Sequence, residues 1–217
     1  MSIVDLIFPK LCVGCKREGE YICQSCQAKM QKPIQICPMC GKQSLDGWVH
    51  PRCKRPEGID RLIIGLEYHG VVQSCLKKVK YKSSWDIVEY LFSLADFEPA
   101  YDSIVVDVPM WRGKERERGF NQASLLSRLF AKKYKLPNIS ALVRVKSTSP
   151  MFGLSKQERQ DNIKGAFGVI EDVKTMLVDQ KVVLVDDVWT TGSTMRECAQ
   201  ALKRVGAREI CALALAK

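Results

Sequence analysis

Asp186 and Asp187 stand side by side after the apolar, β-branched run Val182–Val185, just ahead of Thr190, Thr191, Gly192, Ser193 and Thr194. Hydroxyls and closely spaced backbone N–H groups at the start of a helix form a cradle for an anion, and a phosphate fits it. Two carboxylates beside such a cradle would repel a bare polyphosphate. They suit vicinal sugar hydroxyls, which donate hydrogen bonds, with a hard cation such as Mg²⁺ nearby. The implied ligand is a ribose 5-phosphate. The stretch lacks the G-x-x-x-x-G-K-[ST] order and carries its acidic residues before the turn in place of a lysine within it, which excludes the commonest nucleotide loop. An ordinary strand, turn and capped helix explains it poorly, because adjacent aspartates at a strand end are costly without a ligand or cation to balance them.

A second cluster is cationic. Met110 and Trp111 lead into a loop, running to Arg118, in which Arg112, Lys114, Arg116 and Arg118 face only Glu115 and Glu117. Arginine forks grip oxyanions at two points, as in a pyrophosphate or a nucleic-acid backbone. By itself the run reads equally as a solvated basic loop. Beside the ribose-phosphate stretch it becomes the expected pyrophosphate side of one pocket, with Met110, Trp111, Arg112, Arg116 and Arg118 as its residues.

The third cluster is sulfur-rich. Cys12 and Cys15, Cys23 and Cys26, Cys37 and Cys40, and His50 and Cys53 form pairs with two residues between their members, while Cys75, Cys198 and Cys211 lie outside. Such turns present two ligands to one tetrahedral ion, so eight ligands imply two closed, structural Zn²⁺ sites, one Cys₄ and one Cys₃His. Disulfides fit less well, since the chain shows no secretory signal and cysteine is otherwise sparse. Sequential pairing and a cross-braced arrangement are both open; shorter loops mildly favour the sequential form. A segment this small needs such ions in place of a core.

These groups must be held by a regular frame. Leu62–Tyr68, Ser103–Val108, Ala141–Val145, Phe167–Val169, Val182–Val185 and Glu209–Ala214 read as strands; Val71–Tyr81, Ser84–Ala95, Phe120–Tyr134 and Thr194–Val205 read as helices. Strands alternating with helices predict an α/β fold with a mostly parallel sheet, whose ligands gather at the carboxyl ends of the strands. The composition shift near Arg55–Gly58 predicts a zinc module over residues 1–57 and an α/β domain over 58–217.

The order D-D-x-x-T-T-G-x-T after an apolar strand resembles the phosphoribosyl-pyrophosphate (PRPP) motif of type I phosphoribosyltransferases. Pro109, Arg116 through Gln122, Gly153-Leu154-Ser155, Arg159, Asn162 and Gly165-Ala166-Phe167, with Tyr68, Gly70 and Lys80-Tyr81 upstream, are similar to the ComF family of late-competence proteins, its ComFC branch in particular. The chain departs from that pattern at Asp107, Met151 and the bulky Trp189. The resemblance implies a type I phosphoribosyltransferase-like fold binding PRPP with Mg²⁺. Asp186 and Asp187 would take the ribose hydroxyls and Thr190 through Thr194 the 5-phosphate. It also implies a flap between Lys146 and Gly165 that brings Lys146, Lys156 and Arg159 over the phosphates, and an acceptor hood built from Leu62–Lys82 and the N-terminal module. The role it implies is DNA uptake in natural transformation, with single-stranded DNA and a DNA-uptake or helicase protein as partners. The expected location is cytoplasmic, free or peripheral at the inner face of the membrane. A metabolic transferase acting on a nitrogenous acceptor, and a PRPP sensor without turnover, remain alternatives. No general base stands out.

The chain of 217 residues carries 34 Lys and Arg against 24 Asp and Glu, a formal charge of +10. The excess gathers at Lys77–Lys82, Arg112–Arg118, Lys132–Lys135 and Arg144–Lys146. Tyr81 and Trp85 interleave with the first group, as on single-stranded nucleic-acid surfaces; solvated helix faces would give the same pattern. No run reaches the roughly 18 apolar residues of a membrane span.

Overall fold

A computed structural model describes residues 10–79, 85–98, 102–146 and 156–217, without the side chains at 112, 114, 118, 156, 157, 159 and 160. Its core is a five-stranded sheet in the order β1-β7-β6-β2-β3, with every pair parallel. The strands are β1 (Arg61–Leu66), β2 (Ser103–Asp107), β3 (Asn138–Ile139), β6 (Lys181–Val188) and β7 (Glu209–Ala216). A separate antiparallel ribbon joins β4 (Leu142–Arg144) to β5 (Phe167–Val169). The helices are α1 (Gln24–Gln27), α2 (Gly70–Val79), α3 (Trp85–Leu94), α4 (Arg112–Arg118), α5 (Gln122–Tyr134), α6 (Lys156–Ile163), α7 (Lys174–Leu177) and α8 (Ser193–Arg204). The expected fold class, a mostly parallel sheet flanked by helices with a small N-terminal zinc module, is what the chain forms.

The central strands read as unbroken apolar runs because both of their faces are covered. Val183 and Val185 of β6 pack with Leu126 and Phe130 of α5 and Leu91 of α3 on one face. Val182 and Leu184 pack with Met195, Cys198 and Leu202 of α8 on the other. α5 begins where Asn121 caps it, its side-chain oxygen accepting from the Ala123 N–H at 3.1 Å, and ends at Lys135 in the left-handed region.

The N-terminal module grips the β1 edge from both sides. Val13 and Ile22 join the core on the α2 and α3 face, whereas Ile36 joins the core on the α8 face. Between them the Gln35 amide takes the edge itself: its Nε2 donates to the Ile64 carbonyl at 2.9 Å, and its Oε1 accepts from the Ile64 N–H at 3.0 Å. Tyr90 of α3 donates to the Ile22 carbonyl at 2.7 Å. Gly47, with a φ of 77°, passes so close to β1 that a Cβ there would lie 1.8 Å from the Leu62 carbonyl oxygen.

Three local expectations change. The motif strand does not stop at Val185 but runs to Val188, because β7 continues beside it and pairs Asp186 with Ala214 and Val188 with Ala216. The segment 112–118, expected as a loop, is a helix of strong helix formers, closed by Gly119 at φ 79° with its N–H on the Glu115 carbonyl at 2.8 Å. The strand β3 and the helix α7 carried too few residues to be expected. Tyr81 and the flap positions 147–155 lie outside the described residues, as do the side chains of Lys156 and Arg159.

Candidate functional site

Strand pairing carries the acidic pair and the basic segment to one end of the sheet. Asp107, the last residue of β2, pairs with Val185, so the segment that begins at Met110 leaves the sheet beside the β6 carboxylates. Asp186 and Asp187 are both half-buried, and the Asp187 N–H donates to Asp186 Oδ1 at 2.8 Å. Alternation along a strand turns neighbouring side chains to opposite faces. Accordingly, Asp187 acts on Tyr68: burial first, and then the Asp187 charge, raise the phenol's pKa. Asp186 acts on Cys198 of α8, whose thiol is pushed up chiefly by burial and then by that carboxylate.

The turn 190–194 follows at once. Thr190 is exposed, Thr191 and Thr194 are half-buried, and Gly192 and Ser193 are buried. The Thr191 and Ser193 hydroxyls lie 3.1 Å apart. Gly192 has a φ of 74°, and a Cβ on it would come within 2.2 Å of the Trp189 ring. The bulky residue that departs from the family pattern is therefore the floor of the turn; its own N–H donates to the Ala216 carbonyl at 2.8 Å. Arg196, one turn into α8, donates through Nη1 to the Thr191 carbonyl at 2.8 Å. Burial lowers its pKa, against an opposing pull from Cys37.

On the basic side Met110 and Trp111 are half-buried and Arg116 is exposed, while the side chains of Arg112 and Arg118 lie outside the described set. The end of this segment is anchored below. Asn121 Nδ2 donates to the Val108 carbonyl at 3.0 Å and reaches Asp107 Oδ2 at 3.4 Å. Burial raises the Asp107 pKa, partly countered by hydrogen bonds from its own backbone and from Ser140. Phe120 is buried under Trp85, whose ring stacks on it at 5.1 Å and stays 42% exposed. Lys146 is exposed beside Gly165.

The cysteine pairs assemble sequentially. Cys12, Cys15, Cys23 and Cys26 form one set and Cys37, Cys40, His50 and Cys53 the other, each with its ligand atoms within 4.8 Å of one another. Four sulfur or nitrogen donors at this spacing fit a closed tetrahedral zinc. In the second set His50 Nδ1 lies 3.4 Å from Cys40 Sγ, and Nε2 lies 3.1 Å from the Gln43 carbonyl. A carbonyl can only accept, so Nε2 carries the proton and Nδ1 is left as the ligand atom. The knuckles split their thiols: Cys26 is pushed up to about 12, chiefly by its hydrogen bond with Cys12, and Cys53 is raised by burial, whereas Cys12 and Cys37 are brought down. Burial pushes the Cys12 thiol up, but the N–H groups of Cys15, Cys23 and Gly14 outweigh it and bring the pKa to about 6. Cys37 falls to about 7 by the same balance, with Cys40, His50 and Met39 as donors. Between the first set and the β1–α2 turn lies a cavity of about 370 Å³, lined by Lys29, Met30, Glu67, His69 and Val71 among others.

The sequence pointed to the carboxylates, the turn and the metal ligands; the structure gathers the ligands into two sets, and Arg196 and Gln35 make contacts that this reading left out. Arg196 donates to the Pro38 carbonyl and Gln35 pairs with the backbone of Ile64, both far away in the chain, for which neighbouring residues give no signal.

The phosphoribosyl transferase domain family matches residues 118–217 and the double zinc ribbon domain family matches residues 3–55. Competence protein F of Haemophilus influenzae is 29% identical over 95% of this chain and 90% of its own length. DNA utilization protein YhgH of Salmonella typhi is 30% identical over 94% of this chain and 96% of its own. Competence protein ComFC of Bacillus subtilis is 26% identical over 88% and 81%. Among the described residues no helix is long and apolar enough to cross a membrane.

Proposed function

Because this chain belongs to the ComF family of competence and DNA-utilization proteins, we propose that it binds PRPP with Mg²⁺ at the carboxyl end of β6 and single-stranded DNA on its basic surface, in the handling of incoming DNA. One observation carries the first half. Asp186 and Asp187 lie directly before a buried glycine turn at the start of a twelve-residue helix, with the basic segment leaving the adjacent strand end. A ribose seated across the end of β6 offers its hydroxyls to both carboxylates, Asp187 on the Tyr68 face and Asp186 on the α8 face. Backbone N–H groups and hydroxyls of Thr190, Thr191, Ser193 and Thr194 donate to the 5-phosphate, helped by the positive end of α8. Arg112, Arg116 and Arg118 take the pyrophosphate, with Met110 and Trp111 shaping the approach. Bound Mg²⁺ supplies the positive charge that lets pyrophosphate sit near carboxylates. The flap cations Lys146, Lys156 and Arg159 close the site.

Support for the second half is the exposed Trp85 ring on Phe120, with Lys77 and Lys78 exposed in the last turn of α2. A base can stack on such a face while lysines follow the phosphates. The cavity between the first ligand set and Glu67 and His69 favours a second reading, transfer of phosphoribose to a small nitrogenous acceptor held there. Such a transition state gains mainly from positioning and charge, so no protein base is required.

Calorimetric titration of PRPP with Mg²⁺ tests the pocket. Wild type should bind saturably, and the Asp186→Asn, Asp187→Asn double variant should lose binding while keeping its fold and zinc. Equal affinity in the two proteins would place the ligand elsewhere. Pyrophosphate release on adding candidate acceptors distinguishes transferase from sensor.

A further inference from the structure

The phosphoribosyl reading makes no use of Arg196, yet this side chain joins the two parts of the protein. Its Nη1 donates to the Thr191 carbonyl at 2.8 Å, inside the hydroxyl turn. Its Nε and Nη2 both donate to the Pro38 carbonyl, at 2.9 and 2.7 Å. Pro38 lies between Cys37 and Cys40, in the knuckle of the second ligand set. The guanidinium also lies over the Trp189 ring, 5.4 Å from its centroid. That ring in turn fills the space under Gly192. Knuckle, guanidinium, indole and turn are thus one continuous chain of contacts.

We propose that Arg196 is a positioning residue that ties the conformation of the turn 190–194 to the metal-loaded state of the second ribbon, so that zinc there sets the turn's capacity to hold an anion. The identity of the anion rests on the PRPP reading; the coupling does not. The Pro38 carbonyl is fixed by its knuckle, where the Gly41 N–H donates to the Cys37 carbonyl at 3.0 Å and the Cys37 N–H to the Lys42 carbonyl at 2.8 Å. Four ligands on one ion lock that geometry. Without the ion the knuckle keeps these closures and its anchors at Gln35 and Ile36, but Cys40, His50 and Cys53 no longer constrain it, and the fork of Arg196 loses the fixed acceptor that orients it. The Thr191 carbonyl then loses its donor, and Trp189 loses the cation above it. Only a planar fork can reach two carbonyls while stacked on a ring, so lysine is no substitute. Coupling between sites is reciprocal, and an anion bound at the turn should in return hold zinc more tightly.

Hydrogen exchange read by mass spectrometry on the zinc-loaded full chain tests this. Cys53→Ser removes zinc from the second set and leaves the first; Arg196→Lys retains both zincs, verified by atomic emission. Peptides covering 189–196 should exchange about tenfold faster in each variant, with β2 and β7 peptides unchanged, and the combined variant should go no faster than either one. Turn exchange within twofold of wild type in Arg196→Lys overturns the inference, as do additive effects in the combination. If Cys53→Ser also loosens β7, Arg196→Lys decides alone. PRPP with Mg²⁺, titrated into the same proteins, should bind about tenfold more weakly to both variants. Absence of binding to wild type refutes the phosphoribosyl reading and leaves the exchange result to decide the coupling.

Discussion

Replacing Gln35 should detach the zinc module from the sheet edge more than any other single polar substitution in it. The amide satisfies both the N–H and the C=O of Ile64, at 3.0 and 2.9 Å, in a half-buried setting. Gln35→Ala leaves both groups without a partner. An orphaned group costs about 1–3 kcal/mol, and partial access of water brings the pair to about 2–3 kcal/mol in all. That is roughly 30-fold or more in the equilibrium for opening the edge. Gln35→Glu sharpens the test. Its carboxylate still accepts from the Ile64 N–H but now faces the Ile64 carbonyl without a proton to donate. The folded state therefore holds a proton on this glutamate more tightly than the unfolded chain does. The deficit of Gln35→Glu relative to wild type should accordingly shrink as pH falls toward about 4, the unfolded glutamate value, and grow toward neutrality. Ile64 amide exchange measured by NMR in the two variants reads the edge directly. Exchange unchanged in Gln35→Ala, or a Gln35→Glu deficit that does not vary with pH, would refute the reasoning.

Gly192→Ala should weaken the turn by at least the cost of left-handed backbone for a residue with a side chain, about 1–2 kcal/mol, because its Cβ also meets Trp189 at 2.2 Å. Thermal denaturation with near-ultraviolet circular dichroism of the tryptophans should report both losses. Asp107→Asn should stabilise the protein near neutral pH. Burial raises the Asp107 pKa, so the stability its proton confers is full below the unfolded value of about 3.9 and is lost as pH rises through the folded value. The advantage of the variant in Tm should thus grow from about pH 4 upward; a constant difference would mean the carboxylate is not the cause. Trp85→Ala should weaken single-stranded DNA binding by about 1–3 kcal/mol with an unchanged salt slope. Lys77→Ala with Lys78→Ala should flatten that slope, and a flattened slope in Trp85→Ala would count against stacking.

Much of this architecture was readable because covered parallel strands leave apolar runs that need no context. Val182–Val185 and Ser103–Val108 are such runs, and ligand pairs with two residues between them are equally local signals. The ends of elements were not readable. Asp186, Asp187 and Val188 look like the start of a loop, and only the continuing partner β7 keeps them in strand. The segment 112–118 is charged on all sides and offers no periodicity, so its helix was hidden. Arg196 gave no local signal, since its acceptor Pro38 lies 158 positions earlier. Pairing of the cysteines was open in the sequence because loop length separates the alternatives only weakly; the fold joins them sequentially.

The strand order has a consequence for the order of assembly. Among the described residues β1 has β7 as its one partner strand, beside a single bridge from Arg61 to Trp48, so Arg61 must wait for Cys211, made long after it. The first strand made is the last to be zipped, a long-range closure of the kind that slows folding. During synthesis the segment before β1 has no sheet to lean on, and its apolar residues Val13, Ile22 and Ile36 have no core to enter. Zinc supplies the cohesion that contacts cannot yet provide. The two ribbons then act as a preassembled clasp, waiting through the synthesis of the domain for the strand that closes it.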